Sequence, residues 1–385
     1  MTFRERFNQG LDRAVRPELW LLRRKRSMFR VCGYTGLVCA VALAFLLCAY
    51  QHLELWVMAA IVLSSIGVFF VIGLITKIVT GREALVYYHH EIGVTFMTAL
   101  LVSLLNRPVL PYLDATLLGI GAFLACGRIG CLMVGCCHGR PHPWGVCYRE
   151  SHAAAGFPEY YVRVRLFPVQ AVEAVWVFCI VVTGSLMIIQ RQPAGSAFSW
   201  YVIAYGTGRF FLEFMRGDAV RPYYAGFSEN QWVSVILMVG TSLAELSSQL
   251  PFQSWHLGIC VVFSLLMIGL TLQRRSVPIS RFQLLHPYHI RELAVLLREF
   301  QSDYAPGKPR SEIALKETSL GIRISFNTSI EDGNLTNHYA FSERNLPMSL
   351  QTARLLSALI LRLDYRSNSG HLVVGQQSIF HFFTD

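Results

Sequence analysis

Apolar runs of about bilayer length recur along this chain, separated by short polar breaks. Val31–Tyr50 carries no charge, and Leu55–Ile75 follows it, so each is long enough to cross a membrane as a helix. Ile92–Leu105 is shorter and is preceded by the polar group Tyr87-Tyr88-His89-His90-Glu91. A fourth run begins near Leu113 and leads into a glycine- and cysteine-rich stretch at residues 127–141. A polar connection occupies about residues 138–166. Four more runs follow it: Pro168–Gln190, opened by a proline suited to a first helical turn, then Phe198–Met215, Gln231–Leu246 and Trp255–Leu272. The pattern predicts an α-helical polytopic membrane protein of seven to eight transmembrane helices.

The periodicity differs at both ends. Over residues 1–27, Phe3, Phe7, Leu11, Val15 and Leu19 are spaced for one helical face, which predicts a basic amphipathic helix lying on a membrane surface. After Arg275 the chain reads as a small soluble α+β domain over residues 276–385. Helices are expected at His289–Phe300 and Ser349–Leu363, and strands at Gly321–Phe326, His338–Phe341 and Leu372–Phe382, with a loop at Pro306–Pro309. The transmembrane part is accordingly residues 28–275.

Composition agrees with this reading. Of 385 residues, 53% are hydrophobic and 15% charged, and the mean hydropathy is +0.42. The net charge of +10 is concentrated beside apolar runs, as in Arg23–Arg26 and Arg274-Arg275, so the partner it implies is membrane lipid and not nucleic acid. The first 26 residues lack the apolar core of a cleavable signal peptide. Most of the ten cysteines sit inside apolar runs, where free thiols act as small hydrophobes, and no disulfide framework is expected.

Two segments carry candidate chemistry. In the sixth run, Tyr205, Arg209, Glu213 and Arg216 fall at i, i+4, i+8 and i+11, on one helical face. Charged side chains in such a helix either hold helices together as an internal ion pair or bind a phosphate bidentately. In the stretch at 127–141, Arg128 and Arg140 flank Gly130, Gly135 and Gly139. It also carries Cys131, Cys136, Cys137 and His138. Their spacing is not that of usual zinc ligands, so no metal is assigned, yet thiol-redox or metal binding centred on the three cysteines stands as the alternative reading. His89, His90, His138, His142 and His152 all have the chemistry of a general base near neutrality.

Taken together these residues have a family likeness. Gly127-Arg-Ile-Gly-Cys-Leu-Met-Val-Gly-Cys-Cys-His-Gly-Arg-Pro141 resembles the Gly-Arg-Ile-Gly-Asn…Gly-Arg-Pro signature of bacterial prolipoprotein diacylglyceryl transferases. Phe167-Pro168-Val169-Gln170…Glu173 is similar to their His-Pro-Ser-Gln-Leu-Tyr-Glu stretch. Tyr205-Gly206…Arg209-Phe210…Glu213-Phe214…Arg216 resembles their Tyr-Gly-x-x-Arg-Phe-x-x-Glu-Phe-x-Arg helix. Gln231 with Ser234 and, more weakly, Gly33-Tyr34…Gly36-Leu37 extend the likeness over about residues 30–250. The family's Asn is Cys131 here and its motif Glu is Cys136, while its His-Gly-Gly motif is not intact and His89 or His90 is the nearest substitute. The chain reads as a cysteine-containing branch of the family.

The resemblance implies an enzyme of the bacterial inner membrane. Such an enzyme moves a diacylglyceryl group from phosphatidylglycerol to the lipobox cysteine thiol of a preprolipoprotein, without a cofactor, and releases glycerol phosphate. It implies catalytic roles for Arg128, Arg209, Glu213, His90 and Tyr205. Substrate-binding roles fall to Tyr34, Gly130, Cys131, Gly135, Cys136, Gly139, Arg140, Gln170, Glu173 and Arg216. It further implies that the signature arginines approach the periplasmic face, whereas the positive charge before the first run and after the last predicts cytoplasmic ends.

Overall fold

A computed structural model describes residues 1–21, 24–81, 87–275, 281–302, 314–331, 334–344, 347–365, 367 and 369–384 of the chain. It opens with helix α1 (Phe3–Ala14), capped by reciprocal hydrogen bonds between Thr2 and Glu5, and with the hairpin β1 (Glu18–Leu21) and β2 (Arg24–Ser27). Long helices follow: α2 (Met28–Tyr50), α3 (Leu55–Thr80), α4 (Tyr87–Leu104) and α5 (Val109–Val134). The polar connection holds β3 (Pro141–Cys147), the short α6 (Glu150–Ala153) and β4 (Arg165–Leu166), with β3 and β4 paired antiparallel. Next come α7 (Val169–Ile189), α8 (Ser196–Glu213), the two-residue strands β5 (Tyr223–Tyr224) and β6 (Phe227–Ser228), α9 (Glu229–Leu246) and α10 (Ser254–Arg275).

Among the described residues, five helices are long and apolar enough to cross a membrane: Met28–Tyr50, Leu55–Thr80, Val109–Val134, Val169–Ile189 and Ser254–Gln273. Their outward faces leave large apolar side chains uncovered, among them Leu46, Leu63, Phe70, Ile78, Phe178 and Leu265. That surface suits hydrocarbon and not water. The three shorter helices α4, α8 and α9, of 18 residues each, carry many of the buried polar residues and pack among the others. Helices α2 and α5 run antiparallel in close contact: a Cβ on Gly119 would stand 2.9 Å from the carbonyl of Ala40, and one on Gly130 3.0 Å from Cys32. Such backbone approach is what small residues supply between membrane helices.

Away from the motif stretch, Asp114 on α5 is buried and accepts N–H bonds from Gly195 and Phe198, both at 2.7 Å. It thereby satisfies the free amides at the start of α8.

The C-terminal region contains α11 (Arg281–Leu284), α12 (Pro287–Ser302), β7 (Ala314–Glu317), β8 (Ile322–Glu331), β9 (Asn334–Glu343), α13 (Leu350–Leu363), β10 (Gly370–Val374) and β11 (Phe380–Thr384). Its strands form one antiparallel sheet in the order β10-β11-β9-β8-β7. Ile324, Phe326, Tyr339, Phe341, Leu356 and Ile360 form its centre, and the same cluster takes in Val146, Tyr148, Tyr161, Val164 and Leu166 of the polar connection. Both units thus share one apolar core. Arg298 donates to the carbonyl of Val162 at 2.7 Å, and the Tyr288 hydroxyl donates to that of Arg221 at 3.1 Å.

Several sequence expectations shift. The apolar face expected along residues 1–27 is broken, because α1 ends at Ala14 ahead of Pro17, and Leu19 lies in the hairpin. α1 also docks on the polar connection: Asn8 bonds the backbone at Pro143 and Gly145, and Asp12 bonds the Cys147 amide and pairs with Arg165 at 2.9 Å. The run expected to begin at Ile92 starts at Tyr87, which makes His89, His90 and Glu91 helical. The single last strand expected at Leu372–Phe382 is a hairpin, turned at Gly375 by a short 3₁₀ segment, Gln376–Ser378. The expected loop at Pro306–Pro309 lies outside the described residues.

Replacing Asp114 by Ala should cost about 2 kcal/mol, because two buried amides lose a charged acceptor. A thermal melt of the purified protein in detergent should fall by several degrees, and an unchanged melting temperature would contradict the capping role.

Candidate functional site

The first turns of α7 and α9, the last turns of α5 and α8 and the loops that follow α5 and α8 converge at one end of the bundle. Glu173, fully buried on α7, is the centre of the convergence. Its carboxylate lies 3.0 Å from Arg128 Nε, 3.9 Å from Arg209 Nε and 3.9 Å from Arg216 Nη1, and it accepts the Tyr205 hydroxyl at 3.2 Å. Glu213 forms a second node: it pairs with Arg209, with Arg221 Nη1 at 2.8 Å and with Arg216 Nε at 4.0 Å. Asp218 closes the network with two bonds from Arg216, at 2.8 and 2.9 Å. With its amide oxygen turned to the guanidiniums, Asn230 accepts from Arg221 at 2.8 Å and from Arg209 at 2.9 Å.

The charges do not cancel. Four guanidiniums, Arg128, Arg209, Arg216 and Arg221, meet three carboxylates, and Arg140 approaches as a fifth cation with its Nε on the carbonyl of Arg216 at 3.0 Å. Nη1 of Arg209 and Nη1 of Arg216 are buried with no hydrogen-bond partner, as are Arg128 Nε and the Oε2 atoms of Glu173 and Glu213, so the network holds unmet acceptors as well as unmet donors. Buried cations with spare donors are costly unless an anion completes them. A phosphate group supplies both the charge and the acceptor geometry.

Outside the helices, the pKa directions have clear causes. Burial alone would push the Asp218 carboxyl up, but Arg216 and Arg221 outweigh it and hold the group below its usual range. His138, buried between Phe157 and Tyr161 with Nδ1 2.9 Å from the Gly139 carbonyl, is pushed down by that burial and stays neutral near pH 7.

Of the residues singled out from the sequence, Arg128, Tyr205, Arg209, Glu213, Arg216, Glu173 and Arg140 come together here. Gln170 is one step removed, its amide donating to the Cys136 carbonyl at 2.8 Å. The glycines position backbone. Gly130 brings α5 against α2, Gly135 ends α5 with φ 84°, and a Cβ on Gly139 would stand 2.4 Å from the Phe167 carbonyl. Two expected site residues lie elsewhere. Tyr34 is 70% exposed on α2, and the ring of His90 packs on Phe69 of α3, 4.6 Å between centroids. From α4 it is instead Tyr87 that approaches the network, its ring 6.2 Å from that of Tyr205 and its hydroxyl 3.3 Å from that of Tyr201.

Asp218, Arg221 and Asn230 were missed by sequence reasoning. The signal available was the charge pair Asp218 and Arg221 directly after the arginine helix, in the break between the sixth and seventh apolar runs.

The three cysteines also meet. The sulfur atoms of Cys131, Cys136 and Cys137 all lie within 4.8 Å of one another, one helical turn from Arg128. Adjacent Cys136 and Cys137 can face one point because Cys137 adopts a left-handed backbone, φ 56°, just after Gly135.

The fold and site define a class: a polytopic α-helical membrane protein with a buried, arginine-rich network of ion pairs at one end of its bundle. Comparison with known proteins sharpens this. Residues 85–245 match the family model of prolipoprotein diacylglyceryl transferase, a span from the start of α4 to nearly the end of α9. The chain is 31% identical over 156 residues to the phosphatidylglycerol–prolipoprotein diacylglyceryl transferase of Clostridium tetani, which covers 40% of this chain and 60% of that protein. It is 32% identical over 144 residues to a second such transferase from Clostridium perfringens, covering 36% and 53%. For one from Streptomyces coelicolor the identity is 31% over 137 residues, covering 34% and 42%. The chain therefore resembles this transferase family over its site-bearing helices and spans about half the length of the curated relatives it matches.

Glu173→Ala should destabilise the fold by about 3–5 kcal/mol by leaving buried guanidiniums uncompensated, whereas Tyr205→Phe should cost about 1 kcal/mol. Equal melting temperatures for the two variants would contradict the central place of Glu173. The folded pKa of Asp218 lies below its unfolded value, so its stabilisation is present at neutral pH and lost as pH falls through the folded value. Melting of Asp218→Asn should then vary less with pH below about pH 4 than melting of the parent, and parallel curves would refute the pairing.

Proposed function

We propose that this protein binds phosphatidylglycerol in the bacterial inner membrane, with eight helices crossing the bilayer. In this reading it transfers the diacylglyceryl group to the cysteine thiol of a lipobox peptide. The observation that carries the reading is a pair of buried donors that make no hydrogen bond, Arg209 Nη1 and Arg216 Nη1, within a cation-rich network at the end of the bundle. A phosphate diester seated there accepts those donors. As the bond from the glycerol carbon to the phosphate oxygen breaks, the leaving phosphate gains a negative charge. Arg128, Arg209, Arg216 and Arg140 are positioned to stabilise that charge. Glu173, Glu213 and Asp218 act through the arginines, fixing their planes so that little reorganisation accompanies the reaction.

The acceptor side is less fully built from family-like groups, because Cys131 and Cys136 stand where the family signature that this stretch resembles has Asn and Glu. The thiol must be present as thiolate to attack carbon. The likeness of residues 85–245 to the transferase family supports this reaction over an ion-pair network of structural purpose alone.

The test is transfer by the full chain in vesicles containing phosphatidylglycerol, with a lipobox peptide as acceptor. Peptide mass should rise by one diacylglyceryl group as glycerol phosphate appears, and Arg209→Ala should lower the rate by at least about 100-fold. Absence of both products, under conditions where a curated transferase makes them, would overturn the proposal.

A further inference from the structure

We propose that Cys131, Cys136 and Cys137 form a zinc site with three protein ligands, whose fourth position takes the acceptor thiol. The inference rests on the transferase reading above and assigns the activation of the acceptor. Its geometric basis is convergence. Three sulfurs from i, i+5 and i+6 lie within 4.8 Å of one another, and none of the three is in a disulfide. Tetrahedral zinc with Zn–S of about 2.3 Å needs sulfurs about 3.8 Å apart, a contraction of about 1 Å that a loop can supply. The loop is already shaped for it. Left-handed backbone at Gly135 and Cys137 turns the sulfurs together, and Gln170 holds the intervening Cys136 carbonyl at 2.8 Å.

Two further features fit a substrate-accepting ion and not a closed structural one. Cys131 is buried while Cys136 is exposed, so the group has one open side. Structural zinc is closed by four protein ligands, and an open position marks a catalytic one. Three thiolates on Zn²⁺ carry a net negative charge, and Arg128 lies one helical turn before Cys131 to offset it. Arg128, on the same helix as Cys131, also belongs to the proposed phosphate site, so the sulfurs adjoin that site. An apolar packing role for the cysteines leaves the exposure of Cys136 without purpose.

The step balances. The acceptor thiol coordinates zinc and releases its proton to water. The zinc-bound thiolate attacks the glycerol carbon, a C–S bond forms, and the C–O bond breaks with its electron pair going to phosphate. Glycerol phosphate then leaves with one more negative charge than the diester carried. A metal-bound thiolate is deprotonated without a dedicated base.

The experiment uses the full chain purified in detergent, with Zn²⁺ and Co²⁺ as probes. The protein should hold about one zinc per chain, and Cys136→Ser and Cys137→Ser should lower this at least about tenfold, while Cys179→Ser on α7 keeps it. Cobalt-loaded protein should show thiolate-to-metal absorption, and a cysteine-containing lipobox peptide should shift its ligand-field bands where the serine version of the peptide does not. No metal uptake, uptake unchanged in Cys136→Ser, or a spectrum blind to the peptide would each overturn the proposal. The cobalt spectrum of the unmutated chain keeps the test independent of any folding defect in a variant. A peptide-dependent shift without transfer would sustain the metal site and refute the transferase reading. Transfer at full rate by metal-free protein would do the reverse.

Discussion

A carboxylate withdrawn from water among three guanidiniums sets the terms for this molecule. Glu173 alone could not stay ionised at that depth, and Arg128, Arg209 and Arg216 could not stay buried without it. Because the partners come from α5, α7, α8 and the turn after α8, satisfying one carboxylate fixes the relative positions of three helices. Buried ion networks add less net stability than their number suggests, since desolvation opposes attraction. Their gain is in orientation. Here five guanidiniums are gathered around three carboxylates, so more positive charge is collected than negative.

That constraint explains the arrangement around it. Gly139 and Arg140 thread between the Phe167 and Met215 carbonyls, which ties the loop after α5 to both the α7 and α8 sides of the network. The polar connection above this crossing cannot bury its own apolar side chains. It does so by sharing a core with the C-terminal sheet and helices and by receiving α1 on β3. Segments distant in sequence therefore brace one site. The same packing places the basic N-terminal segment, the signature arginines and the C-terminal region at one end of the bundle. Cytoplasmic ends and periplasmic arginines, both expected from the sequence, are thus mutually exclusive.

Much of this was legible beforehand. Uncharged runs announce the long helices, and the i, i+4, i+8 spacing of Tyr205, Arg209 and Glu213 announces the site, because a charge in such a helix demands a partner. What escaped depends on contacts between segments. Asp218 and Arg221 look like solvated loop charges until the turn after α8 folds them under the arginines. His90 looks like a site base, yet its ring packs on Phe69, and it is Tyr87, three positions earlier on α4, that meets the tyrosines near the network. The cysteine spacing argued against a shared ligand, and only the left-handed backbone at Cys137, invisible to spacing rules, brings the sulfurs together.

The central claim is that the buried guanidiniums hold the phosphate of an anionic glycerophospholipid. Native mass spectrometry of the full chain, with phosphatidylglycerol and phosphatidylcholine of matched acyl chains, tests it most directly. The account predicts one phosphatidylglycerol retained in preference to phosphatidylcholine, with the preference abolished in Arg209→Ala. Equal retention of the two lipids, or a preference untouched by removing Arg209, would contradict it.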